Sequence, residues 1–290
     1  MRYHLGTRFI TSRLLRTGAD PADARPGLSR DLKLAGKLRK RRKKAAVVRF
    51  DGRPNRGDHL TLARLIDEIQ LNRDKIAEVV VVIESPGGAV TTYGHAYAQM
   101  VRIRELGLKL TVCVDTVAAS GGYLAALPAQ RIIAAPFAVV GSIGVVAFVP
   151  NIRKMLEKIG ITPRVFTSGK HKRLVHLTDE DSPEERAHFQ QKLVSIHGQF
   201  LGALKRHRPQ ARFEEVCEAD HWTAAESVSA GLGLVDEIGT SSAYLLRLNS
   251  KRDIVHISSR VSPFQSFGEQ AAECLIAHLD KWIAARMLGS

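Results

Sequence analysis

Three apolar runs rich in Val and Ile constrain the fold more than any other feature of the chain. They are residues 45–52, 78–85 and 109–115, and the segments between them, 60–70 and 91–106, read as helices. Strands that are buried on both faces of a parallel sheet give near-continuous apolar runs of this kind. Strands alternating with helices predict an α/β fold.

An uncharged stretch at residues 132–149, "IIAAPFAVVGSIGVVAFV", reaches the lower length limit of a transmembrane helix. Pro136, Gly141 and Gly144 interrupt it, and Val and Ile dominate its composition. We therefore predict two short buried strands joined by a turn at "GSIG" rather than a membrane span.

Two long helices and a short one are predicted in the second half of the chain. Residues 182–207 begin with a capping-box pattern, Ser182 with Glu185, and carry one apolar face. Residues 267–288 are also amphipathic, which fits packing against a core or an oligomer partner, or lying on a membrane surface. Between them, residues 223–239 predict a short helix followed by a final strand.

The positive charge is concentrated near the N-terminus. Residues 1–60 contain 17 Lys and Arg against 5 Asp and Glu, whereas residues 61–290 contain 26 against 24. The Arg-containing, acid-free segment 1–18 is compatible with a mitochondrial transit peptide or with a disordered basic tail. The block 37–44, "KLRKRRKK", fits a solvated segment, an anionic membrane surface or nucleic acid. Nucleic acid is the weaker option, because no recognition motif accompanies the block.

The three cysteines predict neither a metal site nor a disulfide framework, because they are far apart and form no CxxC pair. Cys113 lies in an apolar run and is interpreted as a small buried hydrophobic residue. No motif for a cofactor is present, and we expect none.

Two glycine corners are candidates for a catalytic site. "ESPGG" (84–88) ends one predicted strand, and "AASGGY" (118–123) ends another. A serine between a strand and a helix exposes its hydroxyl when its neighbours are small, so Ser120 is a candidate nucleophile. The amides of Gly88 and Gly121 are candidate oxyanion donors. A turn that serves packing alone is the other interpretation.

A serine nucleophile needs a base, and the residues leave that choice open. The GxSxG elbow of many hydrolases is missing. His95, His171, His176 and His197 have no context that requires a catalytic role.

A lysine can serve instead, provided that it is held neutral by burial or by nearby positive charge. "FTSGKHKRL" (166–174) presents Lys170 and Lys172 after a glycine turn, and a pair of surface lysines is the alternative interpretation.

Five ordered motifs resemble those of the signal peptide peptidase A family of serine peptidases, with the SohB-like branch most similar. They are "ESPGG", "LTVCVDTVAASGGYLAA", "APFAVVGSIGVVA", "SGKHKR" and "HWTAAESVSAGLGLVDEI". The resemblance covers about residues 45–248. It implies a peptidase domain over that range, preceded by a basic arm (1–44) and followed by an extension (249–290) that contains the amphipathic helix.

The resemblance also implies a fold and a mechanism. The fold is the stacked ββα arrangement of the Clp protease and the crotonases. The mechanism is peptide-bond hydrolysis by a Ser–Lys dyad without a metal, with Ser120 as nucleophile and Lys172, not Lys170, as base. Gly88 and Gly121 would form the oxyanion hole, and Ser142 matches a position that supports the lysine.

Partners and location follow from the same resemblance. It implies peptide substrates with hydrophobic or signal-peptide-like segments, a homo-oligomer and association with a membrane. The Arg-rich arm departs from the transmembrane helix that bacterial relatives usually carry at this end. Two other functions stay open: a crotonase-type acyl-CoA enzyme, and a catalytically silent scaffold of the same fold.

Overall fold

The computed structural model describes residues 10–11, 43–52, 58–164, 166, 168–169, 177–178 and 182–258, and within them the protein has an α/β fold. The strands are β1 Ile10–Thr11, β2 Lys44–Phe50, β3 Ile76–Ser85, β4 Lys109–Ala119, β5 Arg131–Ala134, β6 Val139–Gly141, β7 His221–Thr223, β8 Glu237–Ile238 and β9 Ile254–His256. The α-helices are α1 Asp58–Leu71, α2 Val90–Glu105, α3 Gly121–Ala126, α4 Arg153–Lys158, α5 Pro183–His207, α6 Phe213–Val216, α7 Ala224–Ser229 and α8 Ser241–Asn249, and Arg73–Lys75 form a 3₁₀ turn.

The strands of the described residues form one mostly parallel sheet in the order β1-β9-β2-β3-β4-β5-β8. Strand β4 forks: residues 111–114 pair with β5, and residues 117–119 pair with β6. Strand β7 then runs antiparallel to β6. The fork carries the end of β4 away from β5, so the residues that follow Ala119 lie beside the end of β6.

The valine-rich strands are buried on both faces, as the sequence predicts. Val79 and Val81 of β3 pack with α1 and α2 in the larger apolar cluster, whereas Val80 and Val82 pack with α8 in a smaller one. Each such side chain contributes roughly 1.5–3 kcal/mol when it is fully buried. The uninterrupted apolar runs are therefore explained by helices on both sides of a parallel sheet, and the predicted fold class is confirmed.

The interpretation of residues 132–149 is correct in part. Strands β5 and β6 are present, but the turn that joins them lies at residues 136–137, and no strand follows "GSIG" within the described residues 142–150. Ser142 has φ +52°, which turns the chain out of the sheet, and Val146 and Phe148 are exposed. Of the helices that the structure describes, none combines the length and the apolar character that a membrane crossing requires.

Helix α5 matches its prediction closely. The Ser182 hydroxyl accepts a hydrogen bond from the Glu185 amide (3.4 Å), and Pro183 occupies the first turn. Phe200 and Leu204 are buried, whereas Leu193 and Ile196 are only half-buried. The apolar face thus packs on the core over its C-terminal part and leaves its N-terminal part at a surface.

Several predictions fall on residues that the structure does not describe, including most of the basic arm, Cys274 and the amphipathic segment 267–288. The predicted domain limits stay predictions. Residues 223–239 form helix α7 and strand β8 as expected, but β8 is not the final strand, because β9 follows it and pairs with β2.

Candidate active site

Ser120 occupies a tight corner between β4 and α3. Its φ of 49° and ψ of −121° are the angles of the first central residue in a type II′ turn, a conformation that ordinarily favours glycine. Holding a serine there costs on the order of 1–3 kcal/mol, and such strain clusters at functional sites. The backbone N–H of Ser120 donates to the Gly141 carbonyl (2.9 Å), which fixes the corner against the end of β6.

The "SPGG" turn packs directly on this corner. A Cβ at Gly87, where φ is +102°, would lie 2.8 Å from the Gly121 nitrogen and 2.9 Å from the Ser120 Cβ. A Cβ at Gly122 would lie 2.4 Å from the Ser85 carbonyl oxygen. Both glycines are therefore required by close backbone approach, and the two motifs of the sequence meet in space.

Tyr93, which the sequence reasoning did not single out, holds the two corners together. It is 1% exposed, its hydroxyl donates to the Gly52 carbonyl (2.8 Å), and the Ser85 Oγ lies 2.5 Å away. Its ring lies against Gly121, where an added Cβ would be 2.4 Å from the ring. Ser85 in turn accepts a hydrogen bond from the Gly87 amide (3.2 Å). No sequence motif signals this role, because it depends on contacts across the chain.

Two backbone donors at the corners have no acceptor among the described residues: no hydrogen bond involves the N–H of Gly88 or of Gly121. Gly88 is exposed, and Gly121 is the first residue of α3. Free N–H groups near a serine hydroxyl are what an oxyanion requires.

Ser142 is placed by the segment before β7. It has φ +52°, and its backbone N–H donates to the Asp220 carbonyl (2.6 Å). The Trp222 ring lies against Gly141, where an added Cβ would be 2.9 Å away. The "GSIG" segment is therefore fixed by a strand that follows it by about eighty residues in the chain.

A cleft of about 1020 Å³ brings four of the predicted site residues together, namely Ser120, Gly88, Gly121 and Ser142. Helix α2 contributes Val90, Tyr93, Gly94 and Tyr97 to its walls, and α5 contributes Leu193, Ile196, Gln199, Phe200, Gly202, Ala203 and Arg206. Arg206 is the only charged side chain among the described lining residues. The cleft is therefore mostly apolar and is large enough for several residues of a peptide.

The candidate bases are only partly described. Lys170, Lys172, His171 and His176 lie outside the described residues. His197 lies on α5, and its Nε2 is 2.9 Å from the Ile143 carbonyl oxygen.

The positions of His95 and Cys113 give neither residue a role in the cleft. His95 lies on α2 and does not line the cleft. Cys113 is fully buried, and that burial raises the pKa of its thiol to about 12, so it is not a nucleophile in the fold. Among the described residues, no group of three or more His, Cys, Asp or Glu side chains is arranged to hold a metal ion.

Comparison with known proteins identifies a peptidase family. The sequence model of peptidase family S49 matches residues 102–254. A probable SohB protease of Haemophilus influenzae is 40% identical over 201 residues, which are 69% of this chain and 56% of that protein. A probable SohB protease of Buchnera aphidicola subsp. Schlechtendalia chinensis is 38% identical over 200 residues, which are 69% of this chain and 65% of that protein. The chain thus spans a little over half to two thirds of the length of these relatives.

Among solved structures, a membrane-bound stomatin-specific protease in complex with a substrate peptide matches 80% of this chain and 99% of its own, with 13% identity and a TM-score of 0.47. A second structure of the same protease matches 71% of this chain with a TM-score of 0.44.

Proposed function

The chain belongs to peptidase family S49, and on that premise we propose that it is a serine endopeptidase with Ser120 as its nucleophile. One observation carries the proposal: Ser120 occupies a strained corner in the same cleft as Gly88, Gly121 and Ser142. Small neighbours and a type II′ conformation expose a serine hydroxyl at the edge of the sheet. Such exposure is required for the hydroxyl to attack a carbonyl carbon.

The oxyanion hole is proposed to consist of the N–H groups of Gly88 and Gly121. When the Ser120 Oγ bonds to the peptide carbonyl carbon, the carbonyl oxygen becomes an anion. Two preorganised backbone donors stabilise that charge, and loss of one such donor typically costs about 100-fold or more in rate. The absence of other acceptors for these N–H groups among the described residues supports the assignment.

Lys172 is the proposed base, from its match to the family motif. Its neutral amine takes the proton from Ser120 and gives it to the nitrogen of the departing amine as the C–N bond breaks. Water, deprotonated by the same amine, then hydrolyses the acyl-enzyme ester and regenerates Ser120. Ser142 is proposed to accept or donate a hydrogen bond that orients the lysine.

The preferred substrate is proposed to be a hydrophobic, signal-peptide-like segment. The walls supplied by α2 and α5 are mostly apolar, so they bind apolar side chains more favourably than charged ones. From the family resemblance we also propose a homo-oligomer, and contact of the basic arm with an anionic membrane surface.

The test is hydrolysis of a hydrophobic fluorogenic peptide by the full chain. Ser120→Ala and Lys172→Ala should each abolish activity, whereas Lys170→Ala, the matched control, should keep it. Activity should rise toward alkaline pH, as the lysine loses its proton. Loss with Lys170→Ala and retention with Lys172→Ala would overturn the base assignment.

Two further assays on the same purified protein distinguish the two alternative functions. Turnover of acyl-CoA thioesters without peptide hydrolysis would favour the crotonase-type enzyme. No turnover of either substrate class, together with no labelling of Ser120 by a fluorophosphonate, would favour the silent scaffold.

A further inference from the structure

His197 connects the wall of the cleft to the segment that carries Ser142. It lies on α5 next to Ile196, which lines the cleft, and it is half-buried. Its Nε2 is 2.9 Å from the carbonyl oxygen of Ile143. A carbonyl oxygen only accepts hydrogen bonds, so Nε2 carries a hydrogen and donates it. This side chain therefore fixes the peptide group between Ile143 and Gly144, one residue beyond Ser142.

The "GSIG" segment (141–144) is tied at successive positions. The Gly141 carbonyl accepts from the Ser120 amide (2.9 Å), the Ser142 amide donates to Asp220 (2.6 Å), and the Ile143 carbonyl accepts from His197. The first tie holds the proposed nucleophile, and the second holds a residue with a positive φ. The third is the only one of these that is made by a side chain, and it comes from the helix that walls the cleft.

The expected consequence of losing this tie is specific. Ile143 is fully buried, so its carbonyl oxygen would lose a hydrogen-bond donor that solvent cannot readily replace. The peptide group between Ile143 and Gly144 would lose the hydrogen bond on its carbonyl and keep the one on its amide, so it could rotate more easily. Since the Gly144 amide donates to the Ser142 carbonyl (2.9 Å), that rotation would move Ser142 itself.

We propose that His197 is a positioning residue: by donating from Nε2 to the Ile143 carbonyl, it holds the segment that places Ser142 in the same cleft as Ser120. This inference rests on the proposed peptidase function and adds to it a residue outside the family motifs quoted above.

A set of His197 variants of the full chain tests the inference. Gln places an amide N–H near the position of Nε2, whereas Asn reaches only to the position of Nδ1. We expect His197→Ala and His197→Asn to lower kcat about tenfold with KM changed less than threefold, and His197→Gln to recover most of kcat. Gln191→Ala, at an exposed position on the same helix, should behave as the wild type.

A double-mutant cycle with Ser142→Ala separates positioning from general stabilisation of α5. If His197 acts through Ser142, the double variant should be no slower than Ser142→Ala alone. Rate losses that multiply would overturn the inference, as would an increase in KM with kcat unchanged. Should His197→Ala fail to fold, equal kcat values for the Gln and Asn variants would overturn it as well.

Failure of this inference is distinguishable from failure of the proposed function. An active wild type, silenced by Ser120→Ala but unaffected by His197→Ala, refutes the role of His197 alone. A wild type that neither hydrolyses peptides nor labels at Ser120 refutes both.

Discussion

Replacing Tyr93 with Phe should loosen both glycine corners at once. The substitution keeps the ring that packs on Gly121 but removes the hydroxyl, which donates to the buried Gly52 carbonyl and contacts Ser85. One hydrogen bond contributes about 0.5–1.5 kcal/mol net, and an unsatisfied buried carbonyl costs about 1–3 kcal/mol. We expect the free energy of unfolding to fall by about 2–3 kcal/mol, which is a drop of roughly 5–10 °C in Tm for a protein of this size.

Activity should fall beyond what the loss of stability explains. Ser85 accepts a hydrogen bond from the Gly87 amide and is itself held by the Tyr93 hydroxyl. The "SPGG" turn should therefore shift when the Tyr93 hydroxyl is removed. A displacement of about 1 Å in an oriented site can cost on the order of 100-fold in rate. We expect kcat to drop at least about tenfold at a temperature where the variant is fully folded.

The assay is urea unfolding together with peptide hydrolysis, with Tyr123→Phe as the matched control. Tyr123 is also buried, and its hydroxyl donates to the Leu234 carbonyl (2.9 Å). The control should lose about 1 kcal/mol or more of stability but keep kcat within about twofold. A Tyr93→Phe protein with wild-type kcat, or with stability within about 0.5 kcal/mol of wild type, would refute the reasoning.

Three further predictions concern packing, pH and thiol reactivity. Gly122→Ala should destabilise the protein, because the new Cβ would lie 2.4 Å from the Ser85 carbonyl oxygen, which cannot move aside as a side chain can. We place this overpacking near the upper end of the usual range of about 1–3 kcal/mol, above the helix-propensity gain of roughly 1 kcal/mol. A thermal melt at or above the wild-type Tm would contradict this. Burial alone would raise the pKa of Glu78, but hydrogen bonds from Tyr244, Thr111 and Lys109 outweigh it and lower that pKa below its ordinary value of 4.5. The stabilisation by Glu78 is therefore present above pH 4.5 and is lost as the pH falls through the lowered pKa. Glu78→Gln should flatten the dependence of the free energy of unfolding on pH in that acidic range. Parallel pH dependences for the variant and the wild type would show that the carboxylate has no such role. The Cys113 thiol, with its pKa raised to about 12, should react with a disulfide reagent at pH 8 only after the protein unfolds. Peptide mapping of the labelled protein would detect the reaction. Rapid labelling of the native protein would contradict the prediction and would mean that β4 opens readily.

Helix α5 and the buried strands were predictable because their signals are local. Each signal depends only on residues that are near neighbours in the chain. The signals are a serine three residues before a glutamate at a helix start, an apolar residue every three or four positions, and runs of Val. The turn between β5 and β6 was misplaced because a charge-free run carries no periodicity that separates strand from loop. Only the positive φ of Ser142 and its bond to Asp220 decide where the sheet ends.

The sequence by itself determined the fold class and the identity of the corner residues. Valine runs demand a sheet covered on both sides. Ser120 between small residues, with Gly88 upstream, makes a nucleophile at this corner a prediction beside the packing-only turn. The tertiary structure alone decided how those corners are held. Tyr93 packs on glycines on either side of it in the chain, and His197 reaches a carbonyl 54 positions earlier. Such contacts depend on how the fork of β4 brings distant segments together, and no local pattern encodes a distance across the fold.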